Sequence, residues 1–304
     1  MAISRHQLVK ELEPGLNALF GLEYKRYDNQ HAEIYTSESS DRAFEEEVML
    51  SGFGNASVKS EGSGVAFDNA QESYSARYTH ETVALAFAIT EEAIEDNLYD
   101  KISSRYTKAL ARSMSNAKQV KAAAPLNNGL PSVDGFDSGD GVSLFNTSHT
   151  TVSGTSVKNT LTTQADLNET SLEQAMIDIA AMTDERGLRI AAKAVKMIVP
   201  SANQFQAERL MKSQGRTGTA DNDINALGSM GMIPQGYRVN NYLTDTDSFY
   251  IITDVPNGMK MFTRAPLTTA MEGDFDTGNV RYKARERYSF GVSDFRGIFG
   301  VEGA

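Results

Sequence analysis

The stretch NVRYKARERYSFGV (residues 279–292) alternates charged with apolar side chains, as a half-buried β-strand requires. One face of this strand would carry the four cations Arg281, Lys283, Arg285 and Arg287. The other face would hold Val280, Tyr282, Ala284, Tyr288, Phe290 and Val292, interrupted by Glu286. The pattern therefore predicts a strand with one apolar and one cationic face, in a chain whose formal net charge is -11.

The composition is that of an ordinary folded protein. With 304 residues, the chain is long enough for about two domains, or for one domain with large excursions. Hydrophobic residues make up 40% and charged residues 23%, which argues against wholesale disorder. The longest apolar stretches, such as VALAFAI (83–89), are far shorter than a membrane span, and the first 15 residues lack the apolar core of a secretory signal. We therefore expect a protein that is made in the cytosol and has no membrane partner.

Several classes of function are disfavoured by composition alone. The absence of cysteine excludes disulfides, thiol nucleophiles and thiolate metal sites. The four histidines, His6, His31, His80 and His149, are not spaced as metal ligands. A pI near 4.9 argues against a general nucleic-acid binder, which normally has a basic excess.

The N-terminal third of the chain predicts an arm followed by a long hairpin. Residues 5–20 favour a helix that Pro14 and Gly15 break, and residues 35–50 are acidic, with Glu45, Glu46 and Glu47 in a row. Four glycines among short β-favouring pieces in residues 51–73 indicate a long hairpin. Residues 74–89 then read as one strand, polar at its start and apolar at its end.

The longest predicted helix runs from about residue 90, with Thr90 as N-cap, to about residue 121. Pro125 and the residues around it are expected to stop the helix there. A helix of about 30 residues would be some 45 Å long, which suggests a structural spine. Four of its cations stand at i, i+4, i+7 and i+11 and form one stripe: Lys101, Arg105, Lys108 and Arg112. This stripe is either a solvated face or a surface that tracks phosphates.

Residues after the loop at 134–159 predict an α/β module. Thr170 and Glu173 suggest a capping box for a helix ending at Gly187, and Ser201 with Gln204 suggests another capped helix. Strands are expected at residues 194–200, 236–243, 248–254 and 259–264.

A search for catalytic or metal-binding constellations finds little. Serine-hydrolase elbows and phosphate-binding loops do not occur in the sequence. Asp134, Asp137 and Asp140 in DGFDSGDG could hold calcium, but their spacing differs from an EF-hand loop, and a solvated acidic loop is favoured. His149 has no carboxylate near it in sequence, so a hydrogen-bonding loop histidine is favoured over a catalytic base. We expect no cofactor and no enzyme activity.

The order of these segments, together with several stretches of sequence, resembles the major capsid protein of tailed bacteriophages, which has the HK-97-like shell fold. The stretches are LEPGLNALFGLEY (12–24), SSDRAFEEE (39–47), FAITEEAIEDNLYD (87–100), LFNTSHTTVSGTSVKN (144–159), DERGLRIAAKAVKMIVP (184–200) and LTDTDSFYIITD (243–254). The resemblance covers nearly the whole chain, and the ordered set rather than any single stretch carries it.

The resemblance implies an α+β, HK-97-like fold with the following parts. They are an N-terminal arm (1–44), an extended β-hairpin loop (45–80), a peripheral domain with the spine helix (81–129), an α/β axial domain (130–261), further peripheral strands (262–291) and a tail that can return to the axial domain (292–304). The implied function is an icosahedral shell of hexamers and pentamers that encloses double-stranded DNA in the virion and is assembled in the bacterial host cytoplasm.

The resemblance also implies partners for the charged surfaces. The cations at 281–287 would meet acidic parts of adjacent subunits, with Glu45, Glu46 and Glu47 as candidates, while the aromatic face packs under the spine helix; a simple solvated edge is the alternative. The arm is short, so a separate scaffolding protein, with a portal, is expected, and packaged DNA would be contacted weakly and non-specifically. Some members of this family cross-link through a hairpin lysine. Lys59 is the only lysine near the hairpin tip, but no partner for it is evident.

Three other interpretations remain open from the sequence. An encapsulin-like nanocompartment would use the same fold to enclose protein cargo. A calcium-dependent or hydrolytic soluble domain would use the loop aspartates, and would be a monomer or small oligomer. A tail-tube or other helical virion protein would form tubes rather than closed spheres.

Overall fold

In a computed structural model of the protein, the alternating stretch forms a 13-residue strand from Val280 to Val292. The structure describes residues 5–90, 92, 99–133, 135–215, 224–274 and 278–304, with the side chains of residues 5–12 and 99–102 left undescribed. The described helices are α1 (Arg5–Arg26), α2 (Tyr99–Asn128), α3 (Glu169–Ala180), α4 (Gln204–Lys212) and α5 (Ala226–Met230). The described strands are β1 (Thr36–Ser39), β2 (Phe44–Leu50), β3 (Glu72–Thr79), β4 (Glu81–Ile89), β5 (His149–Thr150), β6 (Ser156–Val157), β7 (Ala194–Val199), β8 (Tyr237–Val239), β9 (Phe249–Thr253), β10 (Met259–Gly273), β11 (Val280–Val292) and β12 (Ile298–Val301).

The first sheet has four strands in the order β1-β10-β11-β4. β11 lies between β10 and β4 and is antiparallel to both, while β1 adds to β10 in parallel. Helices α1 and α2 cover one face of this sheet, where Tyr282 and Ala284 of β11 pack in one buried cluster with residues of both helices. The helical members are Leu16, Phe20, Leu110, Ala111 and Met114. The prediction that the aromatic face of the strand packs under the long helix is confirmed.

The second sheet has four strands in the order β12-β9-β7-β8 and belongs to the larger hydrophobic core. The strands predicted at 194–200 and 248–254 are confirmed, and the strand predicted at 236–243 is shorter than expected. The strand predicted at 259–264 continues to Gly273, because its second half pairs with β11 in the first sheet. No helix among the described residues combines the length and apolar character that a membrane span needs.

The predicted hairpin exists as an antiparallel pair of β2 and β3, joined by residues 51–71, which carry no strand. The single strand predicted at 74–89 is wrong, because the chain changes sheets at His80. The buried His80 ring lies 2.9 Å from Ser289 Oγ through Nδ1 and 3.0 Å from Ser40 Oγ through Nε2. These contacts hold the break, so that β3 pairs with β2 while β4 pairs with β11.

The broken helix predicted at the N-terminus is also wrong. α1 is a 22-residue helix that runs through Pro14 without interruption. A proline inside a helix removes one backbone hydrogen bond and crowds the preceding turn. Here the residues that follow, Leu16 and Phe20, are buried against Leu110 and Met114 of α2, and this packing offsets the local cost.

The spine helix α2 ends seven residues later than predicted, at Asn128, and passes through Pro125. Ala122, Ala123 and Leu126 are fully buried in this last part, which explains why the helix tolerates the proline. The helix stops at Gly129, where a Cβ atom would lie 2.6 Å from the Pro125 carbonyl oxygen and 2.7 Å from Leu144 Cβ. Thr90, the predicted N-cap, is described, but residues 91 and 93–98, which would form the first turns of the predicted helix, are outside the described part of the chain.

The predicted helix caps in the α/β module need correction. The N-cap of α3 is Asn168, not Thr170: the Ser171 amide donates to Asn168 Oδ1 (2.8 Å) and the Asn168 amide donates to Ser171 Oγ (3.0 Å). This helix ends at Ala180, and Gly187 with its positive φ lies in a later turn. Residues 201–203 form a 3₁₀ turn, and α4 follows at Gln204 without a side-chain cap.

Candidate assembly surfaces

The cations of β11 line the face of the first sheet that lies opposite the helices. Arg281, Lys283 and Arg285 are exposed and Arg287 is half-buried; these four residues are called the cationic ridge below. The side chains beside the middle of the ridge are small: Ala84, Ala86 and Ala88 on β4, and Thr268 and Ala270 on β10. The ridge therefore stands above a flat surface that an extended segment of another chain can approach closely.

Few acids within the subunit neutralise the ridge. Arg281 pairs with Asp274 and lies opposite Glu272 in the register, so the acids gather at one end of the strand. Lys283 and Arg285 make no ion pair with any residue that the structure describes. Arg287 lies near His80 and helps to lower the pKa of that imidazole, although burial is the larger cause. The middle of the ridge is thus free to meet an acidic partner.

Glu286, the one acid on the apolar face of β11, binds the spine helix. Its Oε2 atom lies 3.2 Å from Lys118 Nζ of α2, and the carboxylate is almost fully buried. Burial raises the pKa of Glu286, and the neighbouring Lys118 opposes that shift. The exception in the alternating pattern is therefore a contact between the sheet and the helix.

The three acids of the hairpin do not act as one group. Glu45 accepts a hydrogen bond from Ser40 Oγ at 2.6 Å, and Glu47 lies 2.5 Å from the buried Lys260 Nζ. Glu46 lies on the opposite face of β2, where its side chain is 48% exposed and 3.7 Å from Arg77. Sequence reasoning treated the three together because it did not recognise that 44–50 is a strand, in which neighbouring side chains point to opposite faces.

The hairpin also exposes apolar side chains that the sequence analysis did not single out. Phe44, Val48 and Leu50 share the exposed face of β2 with Glu46. The connecting loop exposes Phe53, Val58, Val65 and Phe67, of which Val58 and Phe67 are each 97% exposed. Lys59 of this loop is also exposed. Apolar residues clustered on one excursion usually mark a contact with another molecule.

The loop end of the hairpin is fastened to the α/β module. Asp68 accepts hydrogen bonds from the Gly54 amide (2.7 Å) and from Arg186 Nη2 (2.8 Å). The first of these bonds is the main reason why the pKa of Asp68 is lowered. Ser73 Oγ donates to Glu185 Oε2 at 3.0 Å, and Glu185 also binds the buried Arg296. These contacts fix the two ends of the loop against the α/β module.

The cations of α2 divide into two groups. Lys118 pairs with Glu286 and Lys121 with Glu81. Arg105, Lys108 and Arg112 are exposed on the side of the helix away from its buried residues, and are called the helix stripe below. The side chain of Lys101, the fourth predicted member, lies outside the described residues.

His149 is a buried structural residue rather than a base. Its Nδ1 atom lies 2.6 Å from Asp140 Oδ2, its Nε2 lies 3.1 Å from Asn159 Oδ1, and its ring stacks on Phe295. The Asn159 amide nitrogen donates to the carbonyls of Leu144 and Phe295, so its oxygen faces the histidine. Both ring nitrogens are thus occupied, and none is left to activate a hydroxyl group.

The same contact corrects the interpretation of the aspartate loop. Asp140 is not a solvated loop acid, because chain folding brings it to His149 across nine residues. Asp134 lies outside the described residues. Among the residues that the structure describes, no group of three potential ligands is placed to hold a metal ion.

The family comparison matches residues 73–301, about three quarters of the chain, to a family described as phage capsid protein. A search of curated proteins found no match.

Solved capsid structures share the fold at low sequence identity. The capsid of Myoviridae phage XM1 has a TM-score of 0.54 and 13% identity, with 89% of each chain covered. The capsid of an empty GTA particle has a TM-score of 0.53 and 16% identity, with 91% of each chain covered. A virus-like particle from Pyrococcus furiosus has a TM-score of 0.53 and 10% identity, covering 95% of this chain and 98% of the other.

These findings agree with the α+β, HK-97-like fold expected from the sequence, and they do not favour the encapsulin-like or hydrolytic alternatives. Because the family match covers well over half of the chain, the protein belongs to the phage capsid protein family and is a major capsid protein that self-assembles into the shell of the virion.

Proposed function

We propose that this chain forms a closed icosahedral shell of hexamers and pentamers around the double-stranded DNA of a tailed phage or prophage. Assembly takes place in the cytoplasm of the bacterial host, together with a separate scaffolding protein and a portal. The observation that carries the proposal is the exposed apolar face of the hairpin, formed by Phe44, Val48 and Leu50.

Exposed apolar area of this kind is unfavourable in an isolated subunit. Burial of apolar surface contributes roughly 25 cal/mol per Å², so covering these three side chains and the aromatic residues of the loop would stabilise an assembly considerably. No residue in the described part of the subunit covers these exposed side chains, which leaves a second copy of the chain as the natural cover.

The cationic ridge is the surface that suits this hairpin best. Its alanine and threonine neighbours leave room for bulky side chains, and its free Lys283 and Arg285 complement the exposed Glu46. Single surface ion pairs contribute only about 0–1 kcal/mol, so the charges set the register while apolar contacts supply most of the stability. Repetition over many copies in a closed particle multiplies these weak contacts.

The parts of the chain then take the following roles. The arm is residues 1–44 and the extended loop 45–80; residues 81–129 and 262–291 form the peripheral domain, residues 130–261 form the axial domain around the symmetry axes, and residues 292–304 return to it. Pairing of β12 with β9 supports the last assignment.

Electron microscopy of the protein, expressed alone and with its scaffolding protein, tests the proposal. We expect closed spherical particles that contain DNA when the packaging proteins are present. Tubes, or only monomers in analytical ultracentrifugation under all conditions, would overturn it. Closed particles that hold a protein cargo and no DNA would instead indicate a nanocompartment.

A further inference from the structure

The spine helix lies in a segment with an unusual charge composition. Residues 101–133 contain six lysines and arginines and no aspartate or glutamate, in a chain with 40 acids and a net charge of -11. Two of these cations are neutralised within the subunit, because Lys118 forms an ion pair with Glu286 and Lys121 forms one with Glu81. The remaining cations of this segment with described side chains are Arg105, Lys108 and Arg112, which form the helix stripe.

The stripe is available to an external partner. Its three side chains are exposed, and none of them makes an ion pair with a residue in the described part of the chain. The exposed residues that continue the stripe along the same side of the helix include the small or polar Ala109, Ser113 and Asn116, and the exposed Tyr106 and Val120 border them. Serine hydroxyls, asparagine amides and cations are common contacts to phosphate oxygens, and a tyrosine hydroxyl makes the same kind of contact.

The position of the stripe separates it from the assembly surface. The helices cover one face of the first sheet and the cationic ridge lies on the other, so the stripe and the ridge look out from opposite sides of one layer. In a closed shell, one side of each subunit faces the contents of the shell and the other side faces the exterior. The two cationic surfaces therefore serve different partners.

We propose that the helix stripe binds the phosphate backbone of double-stranded DNA, without sequence specificity. This inference rests on the proposed function, in which the shell encloses DNA. The three cations span about 10 Å along the helix at 1.5 Å per residue, and a duplex carries one charge per about 1.7 Å of its axis, so each cation reaches its own phosphate. Neutralising three phosphates predicts a slope of log K against log salt of about -2.7.

The test compares the full-length, unassembled protein with two charge-matched variants by fluorescence anisotropy, using a 30-base-pair duplex between about 50 and 200 mM NaCl. The first variant carries Arg105→Gln, Lys108→Gln and Arg112→Gln. The control carries Arg189→Gln, Lys193→Gln and Arg209→Gln, three exposed cations of the α/β module. All six substitutions are at exposed positions, and unchanged circular dichroism melting confirms that each variant is folded.

We expect the helix variant to bind DNA at least about 10-fold more weakly at the lowest salt and to lose most of the salt slope, while the control changes affinity less than about 2-fold. An equal loss of DNA affinity in both variants would overturn the inference, since it would indicate a general effect of net charge. Displacement of the duplex by an equimolar poly-glutamate peptide would also overturn it, because the stripe would then prefer an acidic protein.

Particle formation separates this inference from the proposed function. If the wild-type protein forms closed particles but the helix variant binds DNA as tightly as the wild type, the inference alone fails. If the wild-type protein forms no closed particles, the proposed function fails, whatever the anisotropy result.

Discussion

Lys118 Nζ and Glu286 Oε2 lie 3.2 Å apart where the spine helix α2 crosses β11, and the carboxylate is almost completely shielded from water. Tyr288 of the same strand lies beside them, with its ring 5.1 Å from the lysine nitrogen. This pair joins the two elements whose outer surfaces carry the cationic ridge and the helix stripe. Its integrity therefore determines how those surfaces are held relative to each other.

Replacing Lys118 by methionine leaves Glu286 as a buried charge without its partner. We expect the free energy of unfolding to fall by about 3 kcal/mol, because breaking one side of a buried ion pair leaves the desolvation of the other side uncompensated. Urea unfolding of the isolated subunit measures this change in the free energy of unfolding. The double variant Lys118→Met with Glu286→Leu removes both charges and should recover most of the loss; equal destabilisation of the single and double variants would contradict the role of the pair.

His31 predicts a pH dependence of stability. Burial, aided by the charge of Lys118, lowers the pKa of this imidazole to about 4. The unfolded chain binds a proton near pH 6.5, whereas the folded subunit does so only near pH 4, so acid favours unfolding across this window. The contribution lost between pH 6.5 and pH 4 is about 3 kcal/mol.

The variant His31→Gln isolates this contribution, since glutamine is uncharged throughout the window and retains hydrogen-bonding groups for Gln119. Denaturant unfolding at several pH values should give a shallower loss of stability in the variant than in the wild type between pH 6.5 and pH 4. Parallel curves for the two proteins would show that His31 is not responsible.

The local sequence pattern was sufficient to predict a helix or strand where one face of the element is buried and the other is exposed. Alternation predicted β11 and its orientation, and an N-cap residue with cations at helical spacing predicted the spine helix. The predicted ends of the helices were wrong where tertiary packing outweighs local helix propensity. Burial of Leu16 and Phe20 lets α1 continue past Pro14, and burial of Leu126 lets α2 continue past Pro125.

Side-chain pairing across loops and between strands was invisible for a different reason. Neither the contact of Asp140 with His149 nor the contact of Glu47 with Lys260 leaves a signal in one sequence. The first depends on how a nine-residue segment folds back on itself, and the second on how two segments 213 residues apart come together. The split among Glu45, Glu46 and Glu47 was within reach, since a strand at 44–50 has the same alternation that identified β11.

Reversing a charge in the middle of the cationic ridge should impair assembly without unfolding the subunit. Arg285 is exposed and has no ion-pair partner among the described residues, so Arg285→Glu should change the melting temperature of the monomer by less than about 2 °C. Light scattering and negative-stain microscopy should show far fewer closed particles. Arg189→Glu, an equal charge reversal at an exposed site away from the ridge, is the control; normal particle yield from Arg285→Glu would count against the ridge as an assembly surface.

The neighbouring acids of β2 allow a sharper test, because the same substitution should have opposite consequences one residue apart. Glu47→Gln weakens the contact to the buried Lys260 Nζ within the subunit, and we expect a loss of about 1.5 kcal/mol in unfolding free energy. Glu46→Gln alters only an exposed carboxylate 3.7 Å from Arg77, so subunit stability should stay within about 0.5 kcal/mol of the wild type. Assembly followed by light scattering should instead be slowed by Glu46→Gln, since the exposed face of the hairpin loses the charge that complements the ridge. If Glu46→Gln assembles normally, the hairpin does not use this carboxylate between subunits, and apolar contacts alone would have to set the register.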